Sequence, residues 1–157
     1  YGYDHKYVYS HFGYNLKSTD MQASVGCAQL KKLPQFIQAR KDNWEYLREQ
    51  LDGLSDKLIL PGKAEKANPS WFGFLMTVKE NAGFSRDELV QYLESKNVQT
   101  RNLFSGNYIK HPCFDEMRKM QEDIVMKQSF WIGVYPGMTK QKLDYMVDKI
   151  VEFVKNR

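Results

Sequence analysis

The residue types that most often carry chemistry are few in this chain, and their spacing is unhelpful. His5, His11 and His111 lie too far apart to make a motif. They read as satisfied or solvated imidazoles rather than a ligand set. Neither Cys27 nor Cys113 has a companion at metal-ligand spacing, so no metal site is expected. Cys27 falls in an apolar helical stretch, where a thiol packs as a small hydrophobe. Cys113 follows His111-Pro112, and its neighbours do not mark it as a reactive thiol. Phosphate-binding glycine loops, dinucleotide fingerprints and serine elbows are all missing. The chain has no self-contained catalytic kit, and no residue in it is given a catalytic role.

Two polar residues set among aromatics remain. Asn15 follows Gly13 and Tyr14 just ahead of a helix start, where free backbone donors and the helix dipole favour an anion. The competing role is a plain turn. Arg101 closes a strand-like segment and precedes Phe104, Gly106 and Asn107. A guanidinium at a strand end, beside small and aromatic residues, suits capture of phosphate or carboxylate. Its competing role is a surface salt bridge. The Lys31-Lys32 and Arg40-Lys41 pairs read as a solvated helix face.

The elements that must position these residues follow from periodicity and capping. Residues 1–17 have no clean period and carry Gly2, Gly13 and Asn15, an extended lead-in. Thr19 with Gln22 is a capping-box pattern. From Met21 to Leu33 apolar residues fall on both faces, which predicts a helix buried against several neighbours. Pro34 should kink that helix or begin a second one. Ile37, Trp44, Leu47, Leu51 and Leu54 then form an amphipathic stripe ending near Gly53. Strands are expected at 58–60, 71–78, 98–103 and 130–135. Ser85 with Glu88 is a second capping box, opening a helix of about ten residues. Residues 105–128 read as a loop with short helical turns, and Thr139 caps a last helix carrying Leu143, Met146, Val147, Ile150, Phe153 and Val154. The result is an α+β fold: a long N-terminal helical arm and a small sheet flanked by helices.

Composition sets the outer bounds. At 157 residues, 42% hydrophobic and 27% charged, the chain has ordinary globular make-up. Its longest apolar-leaning run, Phe130 to Tyr135, is far below the roughly 20 residues of a membrane helix, so no membrane insertion is expected. A net charge of +4 with scattered acids does not demand nucleic acid. Two cysteines fit a reducing compartment, and the expected location is cytoplasmic. Aromatics crowd the lead-in at Tyr1, Tyr3, Tyr7, Tyr9, Phe12 and Tyr14, with little aliphatic company. Such a segment packs on a partner or on a missing part of its own chain. The first residue is Tyr1, so the chain is expected to derive from something longer.

Tyr9-Ser10-His11-Phe12-Gly13-Tyr14-Asn15-Leu16-Lys17, followed by Thr19-Asp20-Met21-Gln22, resembles the opening of the C-terminal domain in the DegT-type family of pyridoxal-phosphate sugar aminotransferases. Tyr3 to Tyr7, Asn68 to Phe74, Thr100 to Pro112 and Phe130 to Gly137 resemble its dehydrase branch, typified by CDP-4-keto-6-deoxyglucose 3-dehydrases of lipopolysaccharide O-antigen synthesis. Lys17, where many family members have arginine, also matches that branch. The resemblance covers nearly the whole chain, although the stretch from Met117 to Lys127 is shorter than usual and carries Ile124-Val125 in place of a polar pattern.

The resemblance implies the small domain of a fold-type-I aminotransferase, residues 18–157, whose large cofactor domain lies upstream. Residues 1–17 would pack on that domain and on a homodimer partner. Asn15 would reach across the dimer to the phosphate of pyridoxal or pyridoxamine phosphate. Phe72, Arg101, Phe104 and Asn107 would border the substrate, a nucleotide-linked 4-keto-6-deoxyhexose. The implied reaction is removal of the C3 hydroxyl, with the cofactor as electron sink. The family's best-known dehydrases add a [2Fe-2S] cluster and a reductase, and their catalytic histidine and cluster cysteines would also lie upstream. This chain alone is then expected to be inactive. Two alternatives stand beside it: a sugar-nucleotide aminotransferase of the same family, and a stand-alone binding module with a Tyr-rich partner surface.

Overall fold

The computed structural model describes residues 11–14, 16–107, 113 and 124–157. The chain divides into two units, Tyr1–Leu33 and Pro34–Arg157. Asn15 and the aromatics from Tyr1 to Tyr9 lie outside the described residues.

In the first unit the helix α1, Asp20–Gln50, begins where the capping pattern places it. The Thr19 backbone N–H donates to Gln22 Oε1 at 2.9 Å, and the Gln22 N–H donates to Thr19 Oγ1 at 3.3 Å. The expected burial of this stretch is corrected. Phe12, Tyr14, Leu16, Met21, Val25 and Leu30 are all exposed, as is Cys27. An apolar helix face records a need for cover, and none of the described residues supplies it. Concentration-dependent self-association is the expected consequence, read by sedimentation velocity and weakened in a Met21→Ser/Val25→Ser variant. A monodisperse monomer at every concentration would contradict this.

The expectation of a second helix beginning at Pro34 is also corrected, because α1 runs through it as one element. Proline lacks the N–H that would bond the Leu30 carbonyl. Both residues are exposed, so water can take that carbonyl and the helix continues.

The second unit is a four-stranded antiparallel sheet with one helical face, as an α+β reading requires. Its strands are β1 (Leu58–Ile59), β2 (Gly73–Val78), β3 (Thr100–Asn102) and β4 (Ser129–Gly133), in the order β1-β2-β4-β3. The helices are α2 (Arg86–Ser95), the short α3 (Ile124–Gln128) and α4 (Lys140–Lys155). Alternation along β2 sends Phe74, Met76 and Val78 inward, where they meet Phe130 and Ile132 of β4. Trp44 and Leu47 close that core from the C-terminal half of α1, and Leu51 and Leu54 from the turn that follows it, as the stripe foretells. Leu143, Met146, Val147, Ile150, Phe153 and Val154 close it from α4. Each fully buried side chain contributes roughly 1.5–3 kcal/mol. Strands β3 and β4 end short of the expected 103 and 135: the β3–β4 ladder closes at Asn102 opposite Phe130, and the last pair of β4 is Gly133 with Gly73 of β2.

Caps fix the helix starts. The Ser85–Glu88 box is complete, with Glu88 Oε2 accepting from the Ser85 N–H at 2.8 Å. Thr139 accepts from the Lys142 N–H. Glu94, at the end of α2, accepts from both the N–H and the hydroxyl of Thr100, at 2.5 and 2.7 Å, tying the helix to β3. Hydrogen bonds from Ser85 hold the Glu88 carboxyl below its ordinary pKa, and those from Thr100 do the same for Glu94. A lowered folded pKa contributes stability present above the unfolded value and lost as pH falls through the folded one. Thermal unfolding should therefore shift downward below about pH 4.5, the ordinary glutamate range. Glu94→Gln should flatten that dependence, as melting curves across acidic pH will read.

Candidate functional site

The sheet face turned away from the core is built by register. Leu75 pairs with Trp131, and Trp131 pairs with Arg101, so the three lie in one row across β2, β4 and β3. Arg101 Cζ stands 5.8 Å from the Trp131 ring centroid, a cation–π distance. The Trp131 indole reaches diagonally over Gly73. A Cβ built on Gly73 would stand 2.5 Å from Trp131 Cε3 and 3.1 Å from the Ile132 carbonyl oxygen, so glycine is required where the ring crosses. The indole Nε1 donates to the Asn102 carbonyl at 3.2 Å, and Arg86 Nη1 donates to Asn102 Oδ1 at 2.9 Å. Asn102 thus anchors both the indole and the loop that follows β3.

Just before β2 the chain turns a corner at Trp71, whose φ is +53°. Phe72 beyond it is exposed, with its ring centroid 4.9 Å from Trp131 and 6.3 Å from Phe104. Phe104 itself sits at φ +51°, in a turn where its N–H donates to the Asn102 carbonyl at 2.7 Å. Two strained corners therefore bring three aromatic rings together from opposite sides of the sheet.

Beside this cluster lies a cleft of about 740 Å³, in the size range of small-molecule sites. Arg40, Phe72, Arg101, Trp131, Tyr135 and Lys142 are among its lining residues. Asn97, Gln99 and Gln141 add amides, and among the described residues no aspartate or glutamate lines it. Among the described residues Arg101 makes no ion pair, so the surface salt bridge that competes for it is absent. Three cations, aromatic walls and amides without a carboxylate can bind an anionic ligand that carries a planar ring. No group of three potential metal ligands occurs among the described residues.

Of the residues singled out from sequence, Phe72 and Arg101 meet at the cleft. Phe104 touches the cluster at its edge without lining the cleft, and Asn107 does not line it either. Asn15 lies outside the described residues. Sequence reasoning missed Trp131, although strand alternation from Phe130 to Tyr135 places it opposite the buried Phe130, Ile132 and Val134. It also took Arg40 for a solvated residue, where the structure gives it two backbone carbonyls as acceptors.

A sequence profile described as the DegT/DnrJ/EryC1/StrS aminotransferase family matches residues 1–151. A dTDP-4-dehydro-2,6-dideoxy-D-glucose 3-dehydratase of Saccharopolyspora spinosa is 50% identical over 159 residues, covering 98% of this chain and 34% of that protein. The lipopolysaccharide biosynthesis protein RfbH of Salmonella typhimurium is 49% identical, over 97% of this chain and 36% of its own length. Among solved structures, the Escherichia coli GDP-4-keto-6-deoxy-D-mannose-3-dehydratase with bound hydrated PLP superposes with a TM-score of 0.73. That match is at 27% identity and covers 88% of this chain and 36% of the other. DesV of S. venezuelae, in complex with a ketimine intermediate, shares the fold with a TM-score of 0.80 at 21% identity, over 99% of this chain and 42% of that one. The chain thus spans about a third of the length of the curated relatives just described.

Proposed function

The chain belongs to the DegT/DnrJ/EryC1/StrS aminotransferase family, and on that premise we propose that it is the C-terminal part of a nucleotide-sugar 3-dehydratase dependent on pyridoxal or pyridoxamine phosphate. The observation that carries this reading is identity of 50% and 49%, over almost the whole chain, to a 3-dehydratase and to RfbH. The substrate would be a nucleotide-linked 4-keto-6-deoxyhexose that loses its C3 hydroxyl, in a cytoplasmic homodimer supplied with electrons by a reductase and possessing a [2Fe-2S] cluster.

The cleft supports a role in holding that substrate. Arg101 and Lys142 supply positive charge for a diphosphate, and Phe72 and Trp131 supply flat apolar surface. Phe104 and Asn107 would extend the site along the loop after β3. The cofactor supplies the electron sink for the reaction when bound. The cleft does not fit it, since among the described residues no carboxylate lines it to hold a protonated ring nitrogen. Asn15 keeps its proposed place at the cofactor phosphate, across the dimer. No step of the chemistry is assigned to the described residues, and the chain alone would be inactive.

The test uses the full-length gene product with pyridoxamine phosphate, a reductase, and CDP-, GDP- or dTDP-linked 4-keto-6-deoxyhexose. Mass spectrometry of the product should report loss of the C3 oxygen. Transfer of an amino group from glutamate would move the protein to the sugar aminotransferases, and absence of both reactions would overturn the enzyme reading.

A further inference from the structure

Arg40 lies in the middle of α1, one helical turn before Trp44 and on the same face. Its Nη1 donates to the carbonyl of Trp71 at 3.0 Å and to that of Phe72 at 3.4 Å. Trp44 stacks flat on Trp71, with ring centroids 4.0 Å apart and planes within 1°. Successive turns of one helix therefore grip the same two-residue corner, by its carbonyls and by its first ring. The corner needs gripping. A bulky residue at φ +53° sits in a region that L side chains seldom adopt, and such strain persists only where the surroundings enforce it.

Beyond the corner, Phe72 is 67% exposed and has its main ring contact with Trp131, at 4.9 Å. Little else fixes its place. Were Trp71 to relax to the extended conformation, strand alternation from Gly73 backward would turn Phe72 away from Trp131. No described carboxylate pairs with Arg40, and Arg40 also lines the cleft. We propose that Arg40 is a positioning residue for ligand binding: it holds the Trp71–Phe72 corner so that Phe72 stands as an aromatic wall of the cleft against Trp131. The proposal deepens the reading of this cleft as a sugar-nucleotide subsite, and its ligand arm rests on that reading.

The experiment compares the 157-residue chain with Arg40→Met, which keeps the aliphatic stem but deletes the donors, and with Arg40→Lys, which restores one. The first readout is the exciton couplet of the stacked Trp44–Trp71 pair in circular dichroism, calibrated with Trp44→Phe. The second is affinity for CDP, GDP and dTDP by calorimetry. Arg40→Met should stay helical, lose the couplet and bind about tenfold more weakly, the loss of one aromatic–base contact. Arg40→Lys should regain part of both. In a Phe72→Ala background Arg40→Met should weaken binding no further. An unchanged couplet and affinity in Arg40→Met would overturn the proposal. So would an affinity loss undiminished in the Phe72→Ala background, which would make Arg40 a direct ligand contact. If the couplet falls but the unsubstituted chain binds no nucleoside diphosphate, Arg40's hold on the corner stands and the sugar-nucleotide reading fails.

Discussion

Gly73→Ala is expected to destabilise the sheet by about 1–3 kcal/mol, the range of overpacking, and to disorder the aromatic cluster with it. The new methyl group would stand 2.5 Å from Trp131 Cε3 and 3.1 Å from the Ile132 carbonyl oxygen. The indole could swing aside, but it would then lose its hydrogen bond to the Asn102 carbonyl and its ring contact with Phe72. The carbonyl cannot move without disturbing the β2–β4 ladder. Gly133→Ala, at the residue paired with Gly73, is the matched control. Its Cβ would meet only Tyr135 Cδ1 at 3.9 Å, an ordinary contact, and alanine narrows the unfolded ensemble. Denaturant unfolding followed by tryptophan fluorescence should find Gly133→Ala neutral or slightly stabilising and Gly73→Ala far below both. Equal midpoints for the two variants would mean that the indole does not occupy the place described.

What the sequence made legible was local. The Thr19–Gln22 and Ser85–Glu88 pairs announce helix starts because a capping box needs only four residues to close. The buried side chains of α4 follow from spacing alone, since one apolar stripe has one place to go. Pro34 left two outcomes open, a kink or a second helix, and only the second is removed by the continuous α1. Its effect depends on whether the freed Leu30 carbonyl meets water, and exposure is not written in the neighbouring residues. For Cys27 and Met21 the apolar context is a demand for burial, and none of the described residues covers them. In the site, Arg101 stands out as a strand-end guanidinium beside aromatics, and Phe72 only through the family resemblance. Trp131 and Arg40 emerged only with β2–β4 register and with a contact 31 residues apart in sequence, neither of which short-range pattern contains.

Under the proposed function, Arg101→Ala in the full-length protein is expected to raise KM for the nucleotide sugar about tenfold while changing kcat less. A charge-assisted hydrogen bond to phosphate is worth roughly 1.5–3 kcal/mol, and the exposure of Arg101 places it at the low end. The guanidinium makes no ion pair among the described residues and rests over Trp131, so it is preorganised and electrostatically available. Arg101→Lys should recover only part of the loss, because an ammonium keeps the charge but not the fork that grips two oxygens at once. The split between the constants separates binding from chemistry: a residue that meets the diphosphate equally in ground and transition states moves KM alone. Raising ionic strength should shrink the gap between unsubstituted enzyme and Arg101→Ala, since an exposed charge is screened within about 8–10 Å. An unchanged KM in Arg101→Ala would take the diphosphate away from the β3 edge. The same loss confined to kcat would place Arg101 at the reacting sugar instead, with the nucleotide held elsewhere.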